Sequence, residues 1–247
     1  MELQDAQSQL IQLLNEAVAA LQFDFNNAPK SPVKALLKFK AALNGPLIPI
    51  LFRRHACELE NSLRGIMRTR TFKKDTSALL IDCALFAERV RTELRIDIAE
   101  QIKLAFQEAG QASSEPGLSL SLPEAVDFRF RYLEPEVSEV VKEVIKSLVI
   151  MGNLDCSKFS SVREISSWSG FENRFQWERS CQELLTNITV DSDTEVIGWI
   201  GSEVVAFDWE QVLRNWRLLF ADNYILPQSV AWVLFLFHED SLEFGVR

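Results

Sequence analysis

From Leu3 to Phe106 the apolar residues recur at every third or fourth position, and beyond Val126 much of the chain changes to every second position. The first period is that of helices with one buried stripe, the second that of strands with one wet face. Leu3, Leu10, Leu14, Ala17 and Leu21 form the first stripe. It serves a core, and its seven-residue seam also suits a partner helix, so a homodimer through this N-terminal helix is the second use. Ser31 before Pro32 marks a helix start, and Gly45 stops that helix. Pro46 and Pro49 break the chain, and the next helix is expected from Ile50 to Arg68. Asp75 then caps a stretch in which Leu79, Cys83, Phe86, Val90, Leu94, Ile98, Ile102 and Phe106 keep helical spacing. The N-terminal part is therefore an all-helical domain, residues 1–109.

Gly110 to Pro123, GQASSEPGLSLSLP, is rich in Ser, Gly and Pro and reads as a linker. A second domain, 124–247, follows. Val126, Phe128, Phe130 and Tyr132 alternate with Asp127, Arg129 and Arg131 as a strand. Pro135 opens a helix with Val137, Val140, Val141, Val144, Ile145 and Leu148 inward, closed by Gly152 and Asn153, and another is expected from Phe171 to Asn187. Glu195–Ile200 and Glu203–Phe207 flank Gly201-Ser202, a tight hairpin loop. Asp208 caps a helix, with Gln211 placed to return the bond. Ala231 to Phe237 is an apolar run too short to span a membrane, which suits a strand buried on both faces. His238, Glu239 and Asp240 turn it into a return strand carrying Leu242, Phe244 and Val246. The predicted class is α+β, a helical N-terminal domain followed by an antiparallel sheet packed with helices.

Charge is unevenly placed along this pattern. The net charge is −9, yet Lys30 to Lys74 holds 11 basic residues against Glu58 and Glu60, while Glu124 to the end holds 11 basic and 21 acidic ones. An acidic protein is disfavoured as a general nucleic-acid binder, because phosphate neutralisation needs a basic face. The segment 30–74 is the one place where Lys34, Lys38, Lys40, Arg53, Arg54, Arg64, Arg68 and Arg70 would serve a nucleic-acid-associated regulator. MELQDAQSQL has no basic-then-apolar leader pattern and no segment reaches the length of a membrane span, so a cytoplasmic location is expected. Cys57, Cys83, Cys156 and Cys181 stand apart, without a C-x-x-C pair, and are expected to be reduced.

Catalytic signals are sparse. The histidines are His55 and His238; no phosphate-binding glycine loop, zinc-protease helix or nucleophile elbow occurs, and no cofactor or metal is implied. His238, Glu239 and Asp240 cluster three titratable groups in one turn, which solvated turns also do. Asp191 and Asp193 fall in a polar loop with too few oxygen ligands for a calcium site. All six tryptophans lie in the second domain, and Trp168, in the irregular SSWSGF, is on neither period and is the expected exposed one.

The ending, a helix carrying DWEQVLRNW and then LPQSVAWVLFLFHEDSLEFG, resembles the closing strands of small bacterial immunity proteins that neutralise a sibling's secreted toxin. The resemblance implies a cytoplasmic, non-enzymatic inhibitor that blocks a toxin's active site. A basic toxin cleft would meet an acidic surface, and Glu239, Asp240 and Glu243 with His238 are the candidate rim, Asp191, Asp193 and Trp168 a second patch. The nucleic-acid regulator and an adaptor or structural role are the alternatives.

Overall fold

The computed structural model describes residues 1–24, 31–45, 48–109 and 128–247. The expected linker and the start of the strand at Val126 lie outside them. The chain forms two compact units, Met1–Asp97 and Ile98–Arg247.

In the first unit α1 (Leu3–Asp24), α2 (Ser31–Leu43), α3 (Pro49–Thr69) and α4 (Lys74–Glu93) each pack on two neighbours, α1 and α3 both touching α2 and α4. Leu10, Leu14, Leu21, Leu36, Leu59, Leu63 and Leu80 fill the middle. The α1 stripe is thus spent on its own core: Leu10, Leu14, Ala17 and Leu21 have no exposure left for a second chain. A charge is buried in this unit. Glu60 is covered, and its carboxylate accepts from Arg64 Nε at 2.9 Å and Arg91 Nε at 3.1 Å, which ties α3 to α4 and compensates the desolvated charge.

The helical spacing expected to run from Asp75 to Phe106 is broken between α4 and α5 (Ile98–Ala109). Leu94 is buried with the bundle, whereas Ile102 and Ala105 are buried in the second unit, where α5 packs on α6 (Pro135–Leu148). Two stripes in phase with each other serve two separate cores, and periodicity alone does not separate them. Asp75 lies in the first turn of α4 rather than at its cap, which is Lys73.

The second unit is an α+β layer. Beyond α5 and α6 it contains β1 (Arg131–Tyr132), the hairpin β2 (Val149–Ile150) and β3 (Asn153–Leu154), β4 (Ser161–Ile165), α7 (Arg174–Thr186), β5 (Glu195–Ile200), β6 (Glu203–Asp208), α8 (Trp209–Asn215), β7 (Asn223–Pro227), β8 (Trp232–Phe237) and β9 (Ser241–Val246). Seven strands make one antiparallel sheet in the order β1-β6-β5-β7-β8-β9-β4. The greasy run at 232–237 is central, as its buried residues Trp232 to Leu236 require. β1 is shorter than the alternation suggests, yet Phe128, Phe130 and Tyr132 do share one face and pack on the core.

Strand alternation sends Val196, Val205, Phe207, Ile225, Leu234, Leu236 and Leu242 to one face, where Trp177, Cys181 and Leu185 of α7 and Trp209 and Val212 of α8 cover them. The opposite face meets α6 at β6 and the β2–β3 hairpin at β9. Two glycines are required by that packing. A Cβ on Gly245 would stand 2.7 Å from Phe159 Cδ1, and one on Gly198 2.6 Å from Phe207 Cε1.

Two local expectations fail for physical reasons. Gly152 does not stop α6; it completes a two-residue turn with Met151, both at positive φ, and lets the chain double back as β2 and β3. Asp208 stands at the α8 N-cap without a side-chain cap bond, and the Gln211 side-chain oxygen accepts from Asn215 instead. β4 and β7 are strands that the pattern did not single out.

Candidate interaction site

The antiparallel order places the start of β7, the end of β8 and the end of β4 at one end of the sheet. Polar residues gather there because strands must reverse, and two of them take positive φ to do so, Asp222 at 58° and Asp240 at 60°. Asp222 joins two strands. Its carboxylate accepts from the His238 backbone N–H at 3.2 Å and stands 2.8 Å from His238 Nδ1. That hydrogen bond raises the imidazole's pKa above its ordinary value; desolvation opposes it, and the charges of Asp222 and Glu239 add to it. The ring also rests 4.3 Å from Phe237.

Asn223, buried beside Asp222, fixes the neighbouring turn: its Oδ1 accepts from Gly201 N–H at 3.0 Å and its Nδ2 donates to Leu219 C=O at 2.8 Å. Glu239 is exposed and Asp240 half-buried, so the turn presents carboxylates on a backbone held from both sides. Burial foremost pushes the Cys181 thiol up to about 12, and the negative charge of Asp240 adds to it.

Trp168 follows β4, whose last residue Ile165 pairs with Leu242 next to this turn. It sits in a short 3₁₀ turn closed by the Phe171 N–H to Trp168 C=O bond and is 45% exposed, unlike Trp177, Trp209, Trp216 and Trp232, which are buried. Asn173 then caps α7, its Oδ1 accepting from Gln176 N–H, and Phe175 in the first turn is 74% exposed. The acidic turn and the end of β4 that leads into Trp168 therefore share one end of the sheet.

The second patch does not assemble as expected. Asp191 and Asp193 precede β5, in a turn tied to α8 by the Glu210 N–H to Ser192 C=O bond, at the opposite end of the sheet from Trp168. Glu243 is no rim residue either. It lies within β9, half-buried, and its carboxylate accepts from the Leu154 N–H of β3 at 2.8 Å. Burial raises its pKa, the bond from Leu154 lowers it, and Glu164, directly opposite on β4, raises it. Asp222 and Phe175 were not singled out by pattern; the polar AlaAspAsn before a short apolar run was the signal for the first, and a helical position opposite Trp177's stripe for the second.

Among the described residues no group of three His, Cys, Asp or Glu could hold a metal, and His238 makes no hydrogen bond to a hydroxyl or thiol. His55 sits on α3 with Glu58 at 3.5 Å. Of the basic segment, Arg64 is engaged by Glu60 and Glu88 and Lys73 by Asp24, while Lys34, Lys38, Arg53 and Arg68 are exposed. Phe52 is buried and Phe39 and Phe72 pack on the bundle, so these three rings of the segment do not stand free to stack on bases. No described helix is long and apolar enough to cross a membrane. No protein-family model, curated protein or solved structure matches the chain.

Proposed function

We propose that the protein is a protein-binding inhibitor that works by capping a basic cleft, in the manner of an immunity protein neutralising a toxin. The observation that carries this reading is the end of the sheet at which exposed Trp168 accompanies the carboxylates of Asp222, Glu239 and Asp240. An exposed tryptophan on a supported turn is the kind of anchor that dominates binding energy, and carboxylates around it steer a basic partner. The unit that carries them has twice as many acidic as basic residues, so its field favours the same partner.

The test is to recover the partner from the host with the whole chain as bait, then measure affinity and the partner's own activity. Replacing Glu239 and Asp240 by lysine should slow association, and Trp168→Ala should shorten residence, each weakening binding by at least tenfold, ~1.4 kcal/mol. Unchanged affinity in folded variants would move the interface elsewhere. A partner whose activity is untouched by binding would make the protein an adaptor instead.

A further inference from the structure

His238 stands among the carboxylates at the end of the sheet with one ring nitrogen in use and the other left over. An ionised carboxylate can only accept, so the 2.8 Å contact between Asp222 and Nδ1 puts the neutral ring's proton on Nδ1. The His238 backbone N–H donates to the same oxygen at 3.2 Å. Asp222 is held in place for both bonds by its backbone, at a φ of 58°, and by buried Asn223 beside it, whose side chain is bonded to Gly201 and Leu219. Nε2 has no hydrogen-bond partner among the described residues, and the side chain is 56% exposed.

We infer that His238 is a proton-operated gate on this surface, an inference that rests on the reading above that this end receives a cationic partner. When the ring is neutral, the Nε2 lone pair faces outward as an acceptor for the N–H of an ammonium or a guanidinium. When the ring is protonated, Nε2 becomes a donor and a positive charge stands among Asp222, Glu239 and Asp240. One proton therefore removes the acceptor and offsets one carboxylate charge. A partner that is cationic where it docks is held more tightly as pH rises and is released as pH falls.

The charged groups that face the ring are Asp222, from the turn entering β7, and Glu239, from its own turn. The Asp222 hydrogen bond foremost favours the imidazolium, desolvation opposes it, and the two carboxylate charges add to it. The proton thus leaves above the ordinary imidazole value, ~6.5. Tyr224 and Cys181, which feel Asp222 and Asp240, do not titrate in that range, because burial foremost pushes each to about 12. A unit charge about 6 Å from a partner's cation, screened as in water, changes affinity by about threefold.

The probe is octalysine, added to the full ¹⁵N-labelled chain at fixed ionic strength. The chain has two histidines, and His238→Gln assigns the His238 signal by removing it. Long-range ¹H–¹⁵N spectra should show the neutral ring with its proton on Nδ1, and Asp222→Asn should lower the titration midpoint. Saturating octalysine should lower the midpoint in the wild type by ~0.5 unit, the reciprocal of threefold tighter binding by the neutral ring. Octalysine affinity should rise about threefold between about pH 6 and about pH 9 in the wild type and stay nearly level in His238→Gln. A neutral ring protonated on Nε2, or a midpoint unmoved by Asp222→Asn, overturns the gate. If octalysine shifts the backbone amide signals of Glu239 and Asp240 while the His238 midpoint stays fixed, the gate fails and the cationic-partner surface stands. If neither those amides nor His238 responds, the surface itself is refuted and the gate with it.

Discussion

Gly245 is where the packing of the second unit is least forgiving, and Gly245→Ala is the sharpest test of it. Residue 245 pairs with Val233 on one side and Val162 on the other, so the backbone of β9 cannot retreat. The new methyl would meet Phe159 Cδ1 at 2.7 Å and its Cε1 and Cγ at 2.9 Å. Relief must come from the ring, which has to withdraw by about 0.7 to 1 Å to reach ordinary contact, and overpacking of this kind costs ~1–3 kcal/mol. Alanine's smaller unfolded-state entropy returns ~0.4–1 kcal/mol. A net loss of about 1–2 kcal/mol follows from these two terms. All six tryptophans lie in the unit Ile98–Arg247, so urea unfolding followed by tryptophan fluorescence reports that unit alone. Phe159→Ala supplies the control: in the Gly245→Ala background its cost should fall by roughly the strain it removes, a coupling of ~1–2 kcal/mol in a double-mutant cycle. Additive effects, or an unshifted midpoint for Gly245→Ala, would refute the contact.

Glu243→Gln keeps an oxygen for the Leu154 N–H and removes a buried charge opposite Glu164. Because the folded-state pKa of Glu243 is raised, its contribution to stability is fullest below the unfolded carboxylate pKa and is lost as pH rises through the folded value. The variant should therefore melt no lower than wild type near neutral pH, with its relative gain fading below about pH 4, which a melting series in pH would show. Alkylation followed by mass spectrometry should mark exposed Cys156 first, and leave Cys83 and Cys181, both raised by burial to about 12, unmodified until urea unfolds the chain.

The central hairpin was legible because its apolar run and its polar turn at 238–240 contrast sharply, and the Gly201-Ser202 turn because its flanks are apolar. β7 and β4 were not. Asn223–Pro227 offers a short apolar core beside polar turns, and Ser161–Ile165 is an edge strand with charges on it, so neither carries enough contrast to declare a period. These omissions propagated to the site. Without β3 above it, Glu243 looked like a wet-face carboxylate, and without β4 at the β9 edge nothing placed Trp168 with the hairpin turn rather than with Asp191 and Asp193. Local pattern carries register along a strand, whereas the order of strands is decided by contacts far apart in sequence.

The strand order also sets a timetable for synthesis. β4 is made early in its unit, yet among the described residues its partner in the sheet is β9 alone, the last described strand to be made. A growing chain can finish the first bundle once Glu93 has emerged, while β4 waits with its backbone groups unpaired until Ser241–Val246 follows. The second unit must therefore close late, and any chain cut short within β9 would carry two open strand edges, β4 and the apolar β8, into solution.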